Sequence, residues 1–326
     1  MSRVAHELKG AGIDAGESRR RRPVMVGIVG DSAAGKTTLT RGIANIFGQQ
    51  RVTVVCADDY HRYDREARAR LQVTPLNPEC NYLGILEQHL QLMALGETVL
   101  KPVYNHKNGG LDAPELVVPS EIVLVEGLLG LHTKAMRDCL DVKVYLDPPE
   151  DLRRQWKVER DCAKRGYEPD EVLRQLEERE GDSEAFIRPQ REYADIIVSF
   201  SPPEGVEKMD RAHLDVKLVL RPTLPHPYLL EIADQTQVDE VQPVRLSLSR
   251  DHNKPVDVLE VEGHIAPEVS GIAESLIWGR MNLNGAHLDR EAIGTFQENE
   301  QMRRSESLAL TQLLLVFQLM SARVIA

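Results

Sequence analysis

The sequence contains few cysteines and no pair of them at a metal-binding spacing. Four cysteines are scattered over 326 residues, and no Cys-x-x-Cys occurs. This number is too small for a disulfide scaffold, and the missing pair argues against a zinc site of the usual spacing. Because such cysteine usage is typical of a reducing compartment, we expect a cytoplasmic protein.

The chain also lacks an excess of positive charge. Lys and Arg number 40 and Asp and Glu number 51, which leaves a net charge of −11. This argues against a general nucleic-acid-binding protein, because a phosphate backbone needs a basic face. A small anionic substrate needs only a local cluster of cations. With 42% hydrophobic residues the chain can bury a core, and its length allows one large or two ordinary domains.

No stretch of the sequence predicts a membrane span or a targeting peptide. The most apolar late segment, 308–320, contains three interrupting polar residues and is too short to cross a bilayer. Residues 1–22 end in four arginines, but the apolar run 24–29 that follows leads directly into a glycine-rich loop. Cleavage at that point would destroy the loop, so we predict that 1–22 form a disordered tail. We also expect no membrane partner.

Segments of strand and helix character alternate over the first 200 residues. Continuous apolar runs predict buried strands, and apolar residues at helical spacing or charged stretches predict helices between them. The predicted strands are 24–29, 52–56, 122–125, 142–146 and 196–200, and the predicted helices are 37–47, 83–95, 149–165 and 169–180. This alternation predicts an α/β core over 23–205, with a mostly parallel sheet and helices on both faces.

The pattern changes after the Ser-Pro-Pro-Glu-Gly stretch that ends at residue 205. Alternating segments then predict strands at 214–220, 244–248 and 256–263, the last two forming the arms of a hairpin. Two helices follow, near 267–278 and 305–320. Residues 206–326 are therefore predicted to form a smaller α+β C-terminal extension.

The strongest motif is a phosphate loop at 30–37, which fits the pattern G-x-x-x-x-G-K-[ST] between a predicted strand and a predicted helix. In such a loop backbone N–H groups surround a triphosphate, the lysine reaches the β- and γ-phosphates, and the hydroxyl after it binds Mg²⁺. The motif predicts a P-loop NTPase type of core that binds a nucleotide with Mg²⁺, and it does not by itself predict the reaction. The predicted nucleotide-binding residues are Gly30, Asp31, Ser32, Ala33, Ala34, Gly35, Lys36, Thr37 and Thr38.

Two further segments are candidates for an acceptor site. Asp58 follows the second strand, where a carboxylate can take the proton of an attacking hydroxyl, and His61 and Arg65 lie close behind it. The alternative is a solvated charged loop. Tyr104 and His106 precede an Asn-Gly-Gly sequence that by itself is often only a turn. Their polar side chains would matter if the acceptor is anionic.

Two more features fit a phosphoryl-transfer site. Glu126 ends the strand 122–125, at the position where phosphate-loop enzymes place a carboxylate for Mg²⁺. The helix that follows 149 carries Lys157, Arg160 or Asp161, and Arg165 on one face. Cations on such a helix can neutralise the oxygens of the transferring phosphoryl group, although many helices of this kind are salt-bridged surface helices.

The motifs as an ordered set resemble the phosphoribulokinases, of the phosphoribulokinase/uridine kinase family. The resemblance covers residues 24–200 and fades beyond 206. It comprises the phosphate loop, Asp-Asp-Tyr-His-x-x-Asp-Arg at 58–65, Thr-Pro-Leu-Asn-Pro at 74–78, Lys-Pro-Val-Tyr-Asn-His at 101–106, Val-Glu-Gly-Leu at 125–128, Trp-Lys-x-x-Arg-Asp at 156–161 and Pro-Gln-x-x-Tyr-Ala-Asp at 189–195.

This resemblance implies ATP-dependent phosphorylation of the 1-hydroxyl of ribulose 5-phosphate, and assembly into a homo-oligomer. It implies that Asp58 is the base, and that Glu126 and Asp161 surround Mg²⁺ together with Thr37. The implied catalytic set is Asp58, Lys36, Lys157 and Arg160, and the implied substrate contacts are His61, Arg65, Tyr104, His106 and Arg165.

Two other functions stay open on the sequence. One is a nucleoside kinase of the uridine-kinase type, but a neutral nucleoside does not require the His and Arg clusters. The other is a catalytically idle nucleotide-binding regulator, which we would expect to have lost Lys36 or Asp58. Plant and algal relatives carry a pair of cysteines at the positions that here are Ala34 and Cys56. We therefore predict that this protein lacks their thiol switch.

Overall fold

The structure is a computed structural model and describes residues 22–205, 210–281, 288–298 and 301–325. Its strands are β1 (Val24–Gly30), β2 (Val52–Cys56), β3 (Val99–Asn105), β4 (Gly110–Val117), β5 (Ile122–Gly127), β6 (Val142–Leu146), β7 (Ile196–Ser201), β8 (Asp215–Leu220), β9 (Val244–Asp251), β10 (Lys254–Val261), β11 (Thr295–Glu298) and β12 (Gln301–Arg304). Its helices are α1 (Lys36–Phe47), α2 (Arg65–Leu71), α3 (Leu83–Ala94), α4 (Lys134–Asp138), α5 (Glu150–Arg165), α6 (Pro169–Asp182), α7 (Leu229–Gln235), α8 (Pro267–Gly279) and α9 (Glu306–Ile325). The predicted tail, Arg22 apart, lies outside the described residues.

Eight strands form one sheet in the order β2-β5-β1-β6-β7-β8-β10-β9. The first five are parallel to their neighbours, and the last three pair in antiparallel fashion. All seven residues of the central strand β1 are buried, which explains its uninterrupted apolar sequence. The predicted α/β fold with a mostly parallel sheet is confirmed.

The sheet does not stop where the predicted core ends. β8 pairs with β7 in a register that sets Leu220 opposite Ile196, and the β9–β10 hairpin extends the same sheet. The hairpin turns at His252 and Asn253, whose φ angles are 48° and 64°, as its tight turn requires. The extension thus contributes strands to the sheet of the core, and the division at residue 205 stays a prediction.

Helices cover both faces of the sheet. The side chains of Val26 and Ile28 in β1 pack on the face covered by α1 and the long C-terminal helix α9. Met25 and Val29 alternate to the opposite face, where α3 and α4 pack. Among the helices of the described residues, none has both the length and the apolar character needed to cross a membrane.

A two-stranded sheet lies apart from the main one and was missed in the sequence. β3 and β4 form an antiparallel hairpin whose turn contains the Asn-Gly-Gly sequence. Lys101 and Pro102 interrupt the apolar alternation of β3, and six of the eight residues of β4 are exposed, so neither strand has a clear pattern. The hairpin matters for the site because it carries Tyr104 and His106.

Candidate active site

The phosphate loop joins the carboxyl end of β1 to the first turn of α1. Gly30 has a φ of 147°, and a Cβ at this position would lie 2.6 Å from the carbonyl oxygen of Leu146, so that only glycine fits. Lys36 Nζ donates to the carbonyl oxygens of Gly30 at 2.8 Å and Asp31 at 2.9 Å. Burial lowers the pKa of Lys36, although Asp58, Asp31 and Glu126 oppose the shift. The lysine is thus held across its own loop, within the field of three carboxylates.

The side chain of Asp31 faces away from the phosphate-binding side of this loop. Its carboxylate accepts hydrogen bonds from the Ser32 N–H at 2.7 Å and from the Ser183 hydroxyl. The buried guanidinium of Arg153 lies 3.5 Å from it and also donates to the Ser32 carbonyl oxygen. Asp31 and Arg153 therefore fasten the loop to α5. The backbone of Asp31, and not its side chain, is available to contact a nucleotide.

Oxygen ligands gather beside the loop, at the ends of β2 and β5. Their parallel register sets Cys56 opposite Glu126, and Asp58 follows two residues later. Glu126 accepts from the hydroxyls of Thr37 at 3.3 Å and Thr40 at 2.9 Å, and burial raises its pKa. Asp58 Oδ1 accepts from the Leu128 N–H at 2.9 Å.

This set of hydroxyl and carboxylate oxygens is chemically suited to Mg²⁺, which prefers hard oxygen ligands and keeps several waters. Thr37 and Glu126 are already in contact with each other. Thr40, which the sequence analysis did not single out, orients the second oxygen of Glu126.

The acceptor side contains three aromatic rings in contact. The Tyr104 ring lies edge-on to His61 and His106, with centroids 4.7 and 5.0 Å apart. His61 is buried, and its Nδ1 donates to Asn81 Oδ1 at 2.7 Å. Burial lowers the pKa of both histidines, so that each tends to be neutral. Arg65 donates to the His106 carbonyl oxygen at 3.1 Å, which links α2 to the β3–β4 turn.

Asp161 differs most from its implied role as a ligand of Mg²⁺. Its side chain is only 1% exposed, and it forms ion pairs with Lys157, with Arg160 at 2.9 Å and with Arg165 at 3.3 Å. These cations engage both of its oxygens, whereas Glu126 pairs with hydroxyls. Asp161 is therefore placed to orient the cations of α5, and its enclosed carboxylate leaves no exposed oxygen for a metal ion.

The cations around Asp161 alter one another's ionisation. Burial, followed by the charge of Arg160, lowers the pKa of Lys157 to about 7 despite the contact with Asp161. Burial and the same arginine also lower the pKa of Arg165. Among the described residues, Asp161 is the one carboxylate within 4 Å of these three cations, so positive charge is in excess at this end of α5.

Arg68 and Arg179 also belong to the site, although neither is among the predicted substrate contacts. Arg68 donates to the hydroxyl of Tyr104 and to the Tyr63 carbonyl oxygen at 2.8 Å. Arg179 in α6 donates only to Gln175 Oε1, at 3.2 Å, and burial and the charge of Arg68 lower its pKa. Within the described part of the chain, neither arginine has a carboxylate within 4 Å. Arg68 belongs to the cluster of His and Arg residues at 61–68, which the sequence indicates. Arg179 lies in a charged helical stretch that looks like an ordinary surface helix, so no signal distinguishes it.

One cavity of about 860 Å³ joins these groups. It reaches from the phosphate loop past Asp58 to the acceptor side, and Arg211 and Glu298 of the C-terminal part also line it. Gly30, Asp31 and Asp161 lie outside its lining. The predicted site residues that line it are Ser32, Ala33, Ala34, Gly35, Lys36, Thr37, Thr38, Asp58, His61, Arg65, Tyr104, His106, Glu126, Lys157, Arg160 and Arg165.

Comparison of the sequence with known proteins gives matches that each cover part of the chain. The chain is 38% identical over 198 residues to a phosphoribulokinase of Synechocystis sp., covering 61% of this chain and 60% of that protein. It is 32% identical over 191 residues to a uridine kinase of Listeria innocua, covering 57% of this chain and 90% of the relative. The chain thus spans about half to three fifths of the length of the phosphoribulokinases it matches.

A solved structure shares the fold over a longer part of the chain. The phosphoribulokinase from Rhodobacter spheroides superposes with a TM-score of 0.59 at 18% identity, covering 80% of this chain and 96% of that one. At this identity the similarity shows the fold alone. The sequence model of the Phosphoribulokinase / Uridine kinase family matches residues 25–207, which is more than half of the chain. The chain therefore belongs to the phosphoribulokinase/uridine kinase family.

Proposed function

We propose that the protein transfers the γ-phosphoryl group of ATP to the 1-hydroxyl of ribulose 5-phosphate, giving ribulose 1,5-bisphosphate and ADP. The observation that carries this proposal is the surplus of cations at the acceptor end of the cavity. Arg65, Arg68 and Arg179 line it, and no carboxylate of the described residues lies within 4 Å of any of them. An anionic acceptor would supply the missing negative charge, because a phosphate is bound well by several guanidinium groups.

In this reaction Asp58 would accept the proton of the attacking hydroxyl. The Leu128 N–H fixes its Oδ1, which leaves Oδ2 to face the acceptor. Lys36 would exchange its two carbonyl partners in the loop for β- and γ-phosphate oxygens. Lys157, Arg160 and Arg165, oriented by Asp161, would stabilise the charge on the transferring group.

Thr37 and Glu126 would hold the Mg²⁺ that accompanies ATP. When bound, the ion supplies charge neutralisation at the β- and γ-phosphates. Thr40 would keep the Glu126 carboxylate in place through the hydrogen bond that it already makes. Asp161 does not enter this ligand set.

A nucleoside kinase of the uridine-kinase type is the alternative, and the match to most of the length of the Listeria uridine kinase supports it. The surplus of cations favours a sugar phosphate as the acceptor, because a nucleoside carries no negative charge that these cations could bind. An idle nucleotide-binding regulator has less support, because Lys36 and Asp58 face the same cavity. The homo-oligomeric assembly, the cytoplasmic location and the absence of nucleic-acid and membrane partners stay predictions.

The decisive measurement is ADP release with ribulose 5-phosphate, uridine and pantothenate as alternative acceptors. We expect turnover with ribulose 5-phosphate and little with the two acceptors that carry no phosphate. Preferential turnover of uridine would establish the alternative instead. ATP binding without turnover of any acceptor would favour the regulator.

Asp58→Asn tests the proposed base. The amide fills the same space but cannot take the proton, so we expect turnover to fall about 100-fold or more with nucleotide binding retained. The matched control is Asp64→Asn, at a carboxylate six residues after Asp58 in the chain. Asp64 caps α2 through the Ala67 N–H, and asparagine caps a helix equally well. Near-normal turnover of a folded Asp58→Asn protein would remove Asp58 from this role.

A further inference from the structure

Three side chains of different chemical kinds meet beside the acceptor site. One ligand atom each of Cys56, Asp59 and His106 lies within 4.8 Å of the other two. Cys56 ends β2, Asp59 belongs to the 3-10 turn Ala57–Tyr60, and His106 lies in the β3–β4 turn. The sequence hides this cluster because its third member comes from a hairpin about 50 residues later, outside any standard zinc spacing.

The donor atoms distinguish this cluster from the proposed Mg²⁺ site. Thr37 and Glu126 offer only oxygens, whereas the cluster offers a sulfur, an oxygen and a ring nitrogen. That mixture suits Zn²⁺ and its spectroscopic substitute Co²⁺, and it suits Mg²⁺ poorly. Tetrahedral zinc holds its ligand atoms about 3.5 Å apart, so these side chains would need to close by about 1 Å.

The contacts of Asp59 and His106 leave both side chains with atoms that are able to bind a metal ion. Lys101, which is 2% exposed, pairs with one oxygen of Asp59, and the Tyr104 N–H donates to the other at 3.1 Å. Among the described residues, Asp59 pairs with one cation where Asp161 pairs with three, and 14% of its side chain is exposed, so that each carboxylate oxygen keeps a free lone pair. Second contacts of this kind are what orient metal-binding carboxylates. The ring nitrogens of His106 have no hydrogen-bond partner among the described residues, and partial desolvation in the cavity lowers its pKa, which favours the neutral ring that binds metals.

The environment of Cys56 favours a cation over a free thiolate. Burial raises the pKa of this thiol well above its usual value, and the charges of Asp58, Asp59 and Glu126 raise it further. The same negative charges attract a divalent cation. Binding would displace the proton of the thiol to solvent and leave the thiolate as a ligand.

We propose that Cys56, Asp59 and His106 form a binding site for one transition-metal cation of the Zn²⁺ class, with water in the fourth position. A consequence follows that rests on the proposed function. Because His106 lines the cavity on the side where that proposal places the acceptor, the bound ion would exclude the sugar phosphate. Zn²⁺ would then inhibit the kinase in competition with ribulose 5-phosphate and not with ATP.

The binding is tested with Co²⁺ as the probe, in a phosphine reductant because dithiols themselves bind these metals. We expect one equivalent of Co²⁺ to give thiolate-to-cobalt charge-transfer absorption, which Zn²⁺ abolishes and excess Mg²⁺ leaves unchanged. Cys56→Ser should lose the absorption. Cys162→Ser is the matched control, because Cys162 is also partly exposed but lies in α5, outside the cluster, and it should retain the absorption.

Absorption that persists in Cys56→Ser, or none in the unaltered protein, would overturn the site. A separate measurement addresses inhibition: the Zn²⁺ concentration that halves turnover should rise about tenfold or more in Cys56→Ser. Cobalt absorption without inhibition of a working kinase would leave the site standing and overturn its effect on the acceptor. Failure of ribulose 5-phosphate as a substrate would overturn the proposed function and leave the cobalt result unaffected.

Discussion

Two clusters of arginine in this molecule differ in the acids that surround them. In the C-terminal part, Arg290 and Arg304 face Glu274 and Glu306, so that two cations meet two carboxylates. At the acceptor end of the cavity, by contrast, three cations share the single carboxylate of Asp161, and three others have no carboxylate of the described residues within 4 Å. These six cations are Arg65, Arg68, Lys157, Arg160, Arg165 and Arg179, and the cavity is also lined by Lys36, Arg41 and Arg211.

The difference separates a cluster that stabilises the fold from one that awaits a ligand. In the balanced cluster, hydrogen bonds and charges from Glu306 and Glu274 outweigh burial and raise the pKa of Arg304. In the cavity, burial and neighbouring cations lower the pKa values of Arg165 and Arg179. Buried charge without a counter-charge costs folding free energy. A surplus of this kind inside a cavity therefore indicates the charge of the ligand.

Glu274→Gln should produce the largest effect, on stability. Glu274 is fully buried in α8 and pairs with Arg290 and Arg304, so its removal leaves two cations facing one carboxylate. We expect the free energy of unfolding in urea to fall by about 3 kcal/mol. The control is Glu231→Gln, which removes the half-exposed pair with Arg280 and should change it by less than about 1 kcal/mol. Equal losses of unfolding free energy in the two variants would show that the balanced cluster stabilises the fold no more than a half-exposed ion pair does.

Arg179→Met should weaken binding of the acceptor without lowering the stability of the fold, which is the opposite of the effect expected for Glu274→Gln. Losing a charge-assisted contact of about 1.5–3 kcal/mol would raise the apparent KM for ribulose 5-phosphate about 10- to 150-fold, with that for ATP nearly unchanged. Stability should stay the same or increase, because the arginine has no carboxylate partner to abandon. Arg174→Met, on an exposed position of the same helix, is the control. If ATP binding weakened as much as sugar-phosphate binding, Arg179 would belong to the nucleotide side.

The sequence predicts those parts of the fold and site that rest on local pattern. The uniform burial of β1 and the spacing of the phosphate loop are both visible in consecutive residues. The continuation of the sheet past residue 205 is not visible in consecutive residues, because it depends on Leu220 pairing with Ile196 across a turn. The helix spacing placed Lys157 and Asp161 on one face, which the structure confirms.

Other parts of the site depend on long-range contacts that no local pattern encodes. Arg179 becomes a site residue only because α6 packs beside the cavity, and its neighbours in sequence are exposed charges. The pairing of Asp161 with three cations likewise depends on side-chain geometry. A resemblance to a family predicts which residue occupies a position. The contacts of that residue, such as those of Asp161, decide whether its carboxylate is free to bind a metal ion.

The smallest effect that distinguishes the two clusters is a change in protonation at Lys157. In the free protein burial and the charge of Arg160 lower its pKa from 10.5 to about 7. At a pH about one unit above that value, Lys157 is mostly neutral in the folded protein and charged in the unfolded one. The polyphosphate of ATP adds negative charge to the cavity, which should raise this pKa and cause Lys157 to take up a proton. Nucleotide binding should therefore consume a fraction of one proton at this pH.

Calorimetry of ATP binding in buffers of different ionisation enthalpy measures this uptake, since the apparent binding enthalpy changes with the buffer in proportion to the protons exchanged. We expect a positive uptake that declines below pH 7, where Lys157 is already charged, and that disappears in Lys157→Met. Lys134→Met is the control, because Lys134 is exposed, pairs with Asp138 in α4 and is not among the residues that line the cavity, so the uptake should persist. Uptake that is unchanged in Lys157→Met would assign the proton to another group, with the histidines of the cavity as the next to test. A release of protons that disappears in Lys157→Met would contradict the prediction, because added negative charge cannot lower the pKa of a neighbouring amine.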